Sequence, residues 1–236
     1  MKSSLFALAL AATAAAAIDA KAAMVFEDRS AFIAATSPQA HIDFNDVALG
    51  SSYEDQELTI GNMTLRGGTF PHTGPVNLIA PAGLCIGTNS ELFQTDTSPY
   101  ACAFVSPFSD LVIDFNAPVT AWGADFGDLA DNGVSINLTF FDDEDAVVGK
   151  HTASTDLDAQ KTFLGFDLMG AAATRLIFSM MDGTINDAFG IDNVVFSTAR
   201  GMGGPSNVPI PPTFLMFASA GVAAAALRSL KARKLY

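Results

Sequence analysis

Val134-Ser135-Ile136-Asn137-Leu138-Thr139-Phe140-Phe141 alternates apolar and polar side chains as far as Phe140. A period of two sets Val134, Ile136, Leu138 and Phe140 on one face of an extended strand, and Ser135, Asn137 and Thr139 on the other. That is the pattern of a half-buried antiparallel strand. Working outward, short runs enriched in β-branched and aromatic residues recur at 42–44, 58–65, 111–115, 119–126, 162–168, 175–180 and 189–196, with turn-forming clusters between them. Strands of this kind, nineteen Phe in 236 residues and almost no helical periodicity leave sheet-on-sheet packing as the stable solution. The expected fold is all-β, a jelly-roll-like antiparallel β-sandwich. No repeat of about twenty to fifty residues stands out, which disfavours a propeller or solenoid. One short N-terminal helix is expected over 28–36: Asp28 caps it, Phe32, Ile33 and Ala35 bury, and Pro38 stops it.

Both ends of the chain read differently from its middle. Lys2, the apolar stretch 5–17 and Ala20-Lys21-Ala22 make a charged region, an apolar region and a small-x-small cleavage pattern. They predict a signal helix within 1–22, cut after Ala22, and a mature chain from Ala23. At the other end, Val208-Pro209-Ile210-Pro211-Pro212 precedes an apolar run at 214–227, and Arg228, Lys231, Arg233 and Lys234 follow it. The run is shorter than the roughly twenty residues that span a bilayer comfortably. Basic residues directly after it belong on the cytoplasmic side, which puts everything before it outside the inner membrane. The expected organisation is a signal peptide (1–22), a β-sandwich (23–199), a Gly-rich linker (200–207) and a tail (208–236) with an apolar helix at 213–227 and a basic end at 228–234.

The proline motif, apolar helix and basic cluster of 208–236 resemble the PEP-CTERM class of sorting signals, in its Val-Pro-Leu-Pro (VPLPA-type) variant. Ile210 stands where that variant has Leu, and no Glu stands among the prolines. The resemblance implies that Val208, Pro209, Ile210 and Pro211 are recognised by a membrane transpeptidase-like exosortase. It also implies a surface or matrix setting rich in exopolysaccharide, as in biofilms. A plain C-terminal membrane anchor is the other reading of the same residues.

Residues 23–207 hold six of the twelve Lys and Arg and twenty-four of the twenty-five acids, a formal charge of 6 − 24 = −18. Such a surface repels nucleic acid and anionic lipid, since binding either requires phosphate neutralisation by a basic patch. Cys85 and Cys102 are the only cysteines. In an oxidising compartment such a pair is expected to form one disulfide, worth about 3 kcal/mol through the loop it closes. The segment between them is rich in turn formers and reads as a long pinned loop.

Acidic clusters mark the candidate cation sites. Asp125, Asp128, Asp131 and Asn132 fall in a Gly-punctuated stretch, while Asp142, Asp143, Glu144 and Asp145 read as a solvated hairpin turn. A sharper pattern joins the two ends of the domain. His41-Ile42-Asp43-Phe44-Asn45-Asp46 and Phe189-Gly190-Ile191-Asp192-Asn193-Val194 each interrupt an apolar strand with Asp, and an ionised Asp in a sheet is costly unless paired or bound to a cation. The arrangement resembles calcium-bearing jelly rolls, among them carbohydrate-binding modules and MAM-type adhesion domains. The resemblance implies a structural calcium at Asp43, Asn45, Asp192 and Asn193, with Asn45 and Asn193 standing where acids are usual.

Catalytic signatures are scarce. His41, His72 and His151 form no His-x-x-x-His pair, and the chain has no Gly-x-Ser-x-Gly elbow, Walker loop or dinucleotide fingerprint. Trp122, beside Val119 and Phe126, reads as core, and Tyr53 and Tyr100 as loop residues that could offer aromatic platforms to a sugar. The expectation is a non-enzymatic surface or matrix protein, glycan-binding or structural. Its expected partners are signal peptidase and exosortase during export, exopolysaccharide, and the membrane through the C-terminal helix before processing. A glycan-active enzyme and an anchored adhesive protein are the alternatives.

Overall fold

The computed structural model describes residues 23–68, 76–81, 84–85, 88–89, 93, 95–130, 133–154, 161–180 and 186–199. Along the chain these form β1 (Met24–Phe26), α1 (Arg29–Thr36), β2 (Ala40–Ile42), β3 (Leu58–Ile60), β4 (Met63–Gly67), β5 (Leu78–Ala80), β6 (Leu84–Cys85), β7 (Thr88–Asn89), β8 (Tyr100–Val105), β9 (Leu111–Gly127), β10 (Ile136–Phe141), β11 (Val147–Ala153), β12 (Thr162–Asp167), β13 (Ala173–Met180) and β14 (Asp187–Thr198). Strand pairing between these elements is antiparallel throughout. The expected leader, linker and tail, including Ala22, Val208, Pro209, Ile210 and Pro211, lie outside the described residues. Among the described residues no helix is long and apolar enough to cross a membrane.

β9 organises the fold by serving two layers. Its first part pairs with β13 and β4, in the order β11-β10-β13-β9-β4-β3. Its second part pairs with β12 and β14, and β1 extends that layer beyond β12. The far side of β14 is shared between β8 and β2. The change of partners falls at Asn116-Ala117-Pro118, where Asn62 clasps Ala117. Its Nδ2 donates to the Ala117 carbonyl at 3.0 Å and its Oδ1 accepts from the Ala117 amide at 2.7 Å.

Alternation decides what lies between the layers. Ile136, Leu138 and Phe140 of β10 are fully buried, as their period of two requires. They meet Trp122, whose ring lies 6.4 Å from Phe140, 6.4 Å from Phe166, 6.3 Å from Phe178 and 6.2 Å from Phe126. Phe140 and Phe178 come from one layer, and Trp122, Phe126 and Phe166 from the other. Trp122 is therefore interior, and so are Tyr53 and Tyr100, which corrects their reading as loop platforms for a sugar. Tyr53 donates its hydroxyl to the Cys102 carbonyl at 2.6 Å, and burial pushes its pKa up.

The opposite faces of the same strands carry a second apolar layer. Helix α1 starts where Asp28 accepts the Ala31 amide at 2.7 Å and ends at Ser37 in a left-handed conformation. It lays Phe32 against Ala121, Phe163 and Val195. Ala35, expected to bury, is exposed, because the apolar stripe of so short a helix is narrow and Phe32 and Ile33 fill it. Farther along the sheet, Phe93 joins Val76, Ala80, Tyr100, Cys102, Phe104 and Ala188 in a neighbouring cluster.

Several element boundaries depart from expectation. The run at 42–44 is strand only as far as Ile42, since Phe44 turns into a left-handed conformation. The run at 58–65 divides at Gly61-Asn62 into β3 and β4. The runs at 111–115 and 119–126 fuse into β9, because the clasped bend keeps both halves in ladders.

Candidate functional site

The polar feature that the fold builds with care lies on the outer face of the second layer, in the seam between α1 and the chain around Phe93. It begins with a bulge in β14. Asp192 pairs with Asp125 of β9, but the register slips between Asp192 and Val195, and Asn193 takes φ 48°. The extra residue re-aims the side chains on either side of it. Ile191 and Val194 stay in the core, while Asp192 stands on the outer face, wholly buried at 0 % exposure.

The burial comes from the loop at 95–98. Thr95 and Ser98 donate their hydroxyls to Asp192 Oδ2 at 2.7 and 2.9 Å, and the Asn193 amide donates to Oδ1 at 2.6 Å. Asp96 joins from the same loop: it accepts the Ser98 amide at 2.6 Å and the Asn193 side-chain amide at 3.3 Å, and it shares the single Ser98 hydroxyl proton with Asp192. Phe93 closes over the neighbouring residue so tightly that a Cβ on Gly190 would lie 1.9 Å from the Phe93 carbonyl oxygen.

Arg29, at the start of α1, closes the other side. Its guanidinium reaches Asp125 at 2.9 Å, donates to the Asn193 carbonyl at 2.8 Å and lies over the Phe163 ring at 4.6 Å. One arginine thus ties the helix, β9 and the bulge together.

The two acids in the seam titrate in opposite directions. Burial raises the Asp192 pKa to about 6, with the nearby Asp96 adding to the rise, against the lowering by its three donors. For Asp96, burial alone would raise the pKa, but the Ser98 and Asn193 donors and the charge of Lys161 lower it overall. The sign for stability follows from linkage. The folded state holds the Asp192 proton more tightly than the unfolded chain, whose value lies near 3.8, so this group favours folding most below about pH 4 and loses that contribution as pH rises through about 6. Asp192→Asn in calcium-free buffer should therefore gain on the wild type by up to about 2 kcal/mol between pH 4 and pH 7. Urea titrations at the two pH values measure the difference; a constant gap between the proteins would contradict it.

The expected site residues that are described fall in several separate places. β2 and β14 are neighbours, with Ile42 opposite Val194; Asp43 follows the last residue of β2, and Asn193 lies inside β14 next to Val194. Asp43 accepts the Asn45 amide at 3.2 Å in a turn of its own, and Asn45 is exposed. Asp125 and Asp128 diverge: Asp125 faces Arg29, whereas Asp128 is buried in a left-handed turn. Asp131 and Asn132 lie outside the described residues. The acidic hairpin is a turn between β10 and β11, with Asp142 accepting the Glu144 and Ala146 amides at 3.0 and 2.8 Å and Asp145 reaching Arg175 at 3.0 Å. Among the described residues no three His, Cys, Asp or Glu side chains gather as a metal cluster. Cys102 is buried on β8 and is not a free thiol; Cys85 lies on β6.

Thr95, Asp96, Ser98 and Arg29 were not foreseen as partners of Asp192, Asn193 and Asp125. Thr95, Asp96 and Ser98 carry only a turn-former signal, and more than ninety residues separate each from its partner on β14.

No family model matches the chain, and no curated protein matches it. Two solved structures share fragments of its shape. A glycoside hydrolase family 43 arabinoxylan arabinofuranohydrolase from Bacillus subtilis aligns at TM-score 0.30 and 14 % identity, over 45 % of this chain and 24 % of its own. The enzymatically active domain of bacteriophage CBA120 tailspike protein 4 aligns at TM-score 0.28 and 13 % identity, over 66 % of this chain and 22 % of its own. The chain thus spans about a quarter or less of either protein. Likeness of that size gives no basis for carrying over the activity of either.

Proposed function

We propose that this chain is an exported cell-surface or extracellular-matrix protein, processed by an exosortase-type system and non-enzymatic, with a structural or glycan-binding part in exopolysaccharide. The observation that carries the reading is the position of the domain between its ends. β1 begins at Met24, one residue after the expected mature start, and β14 ends at Thr198, just before the linker. On this reading the leader and the sorting tail flank the sheet structure on either side and serve as addresses.

Support for a scaffold rather than a catalyst comes from how its carboxylates are used. Asp192 accepts three donors, Asp125 is tied to Arg29, and Asp142 caps its own turn. Asp114 is gripped by Arg66 at 2.6 Å and Arg175 at 2.8 Å. Burial alone would raise its pKa, but the two guanidinium groups hold it below the usual carboxylate range. These acids are spent on holding strands together. We read the two layers as jelly-roll-like and Cys85 and Cys102 as one disulfide; the second reading is supported by the lack of a free thiol in a chain with two cysteines.

A structural calcium at Asp43, Asn45, Asp192 and Asn193 belongs to the proposal, supported by the adjacency of β2 and β14. The ion would displace the hydroxyl hydrogens now on Asp192 and brace the same strands. Chelation should then lower the melting temperature of the protein, and Asp192→Ala should abolish that shift. Identical melts with and without chelator would remove the ion from the account. The function itself is tested on purified protein with a glycan array and with turnover assays on bacterial exopolysaccharide. Binding or inertness without turnover is the expected outcome; turnover lost on substitution of one carboxylate would establish the enzyme instead.

A further inference from the structure

Among the described strands, β11 is the outer one of the first layer, laddered to β10 alone. Its register puts Gly149, His151 and Ala153 on the face that carries Phe140, Leu138 and Ile136, all three fully buried. That face closes the side of the sandwich against the second layer. A Cβ on Gly149 would lie 2.9 Å from a Leu168 methyl carbon and 3.3 Å from the Ala23 Cβ, and Ala153 belongs to the core.

Between these two small residues stands a histidine. The His151 ring lies 5.6 Å from the ring of Phe166, a fully buried residue of β12, so the imidazole enters the space between the layers where the strand pattern calls for an apolar side chain. Leu138 faces it from β10 and Phe166 from β12. Among the described residues the charge that acts on it is Glu27, just past β1, while Lys150 lies exposed on the other face of β11. Burial lowers the His151 pKa and outweighs the opposing pull of Glu27.

We propose that β11 is an acid-released edge: the uncharged imidazole lets the strand seal the side of the sandwich, and protonation of His151 drives the strand out, leaving β10 as the edge of the sheet. The physical cause is desolvation, since a charged ring must leave its contact with Phe166 to regain water. The edge strand is the element that yields, because one ladder resists it, whereas β13 and β9 are each bonded on both sides. The sign follows from linkage. The closed form binds the proton less tightly than the open one, in which the ring has its ordinary pKa of about 6.5. Closure is therefore strongest above about pH 7 and weakens as pH falls through about 6.5 and below. The device belongs to the domain itself and holds whatever the two chain ends do.

Hydrogen exchange on the purified protein tests it, in chelator-containing buffer at about pH 7.5 and about pH 5, with the intrinsic pH dependence of each amide removed. The opening constant of 147–153 should rise at least about threefold at the lower pH, with about thirtyfold the ceiling for a ring that takes no proton while closed. β13 should stay at least about tenfold more protected than β11 at both pH values, as local opening requires. His151→Gln, which cannot take a charge, should flatten the rise. Glu27→Gln removes the charge that eases protonation of the closed form and should enlarge it. A smaller rise in the wild type, β11 and β13 opening together at the lower pH, or a rise that His151→Gln leaves unchanged would overturn the proposal. The first two readings come from the wild type alone and stand even where a variant does not fold.

Discussion

Trp122→Ala should lower the unfolding free energy by about 4 kcal/mol, within the range for deleting a large aromatic side chain from a core. Trp122 is fully buried and touches rings from both layers: Phe126 and Phe166 on its own side, Phe140 and Phe178 on the other. No small shift can refill the space, because the surrounding rings are themselves held by ladder pairs on β9, β10, β12 and β13. The stacking lost among the rings adds to the area lost. Trp122 is the sole tryptophan, so the measurement is a urea titration followed by circular dichroism rather than fluorescence. A loss under about 1 kcal/mol would mean that the two layers do not meet at this residue.

Gly190→Val should cost about 3 kcal/mol, at the upper end of ordinary overpacking. Gly190 lies inside β14 with Cys102 on one side and Gly127 on the other. The atom nearest its missing Cβ is a backbone oxygen, that of Phe93 at 1.9 Å, with a Tyr100 ring carbon at 3.0 Å. A backbone cannot swing aside as a side-chain tip can, so the chain around Phe93 must lift. Lifting it withdraws Thr95 and Ser98 from Asp192 and leaves a buried carboxylate short of donors. Hydrogen exchange should show 95–98 losing protection together with β14, at a cost visible in the urea midpoint. Unchanged exchange and stability would contradict the close approach.

Much of the sandwich can be read from side-chain period alone, and the exceptions have physical causes. β10 is legible because one of its faces is core and the other is not. β8, Tyr-Ala-Cys-Ala-Phe-Val, escaped because all six of its residues are buried, so that no alternation remains, and because its small residues carry little strand signal. β11 escaped through Gly149, Lys150 and His151, which suit an edge strand better than a core one. β1 was hidden by its closeness to the expected leader.

The seam was half legible. Asp192 is a buried charge inside β14 that needs a reason, whereas Asp43, read in the same way, lies beyond the end of β2 in a turn of its own. For Asp192 the reason visible in the structure is the hydroxyls from 95–98 and the Asn193 amide, while the arginine of α1 pairs with Asp125 beside it. Such partners are supplied by tertiary contact over long sequence separations, and turn-forming residues such as Thr95 and Ser98 look the same whether they face water or a buried carboxylate.

We propose that a β-sandwich is delivered to the cell surface by two removable ends. Intact-mass spectrometry of the protein recovered from the envelope and medium of the producing cell tests it most directly. The account predicts a chain that begins at Ala23 and ends near the Val208-Pro209-Ile210-Pro211 motif, found outside the inner membrane. A chain retaining Met1 through Tyr236 and recovered from the cytoplasm would contradict it.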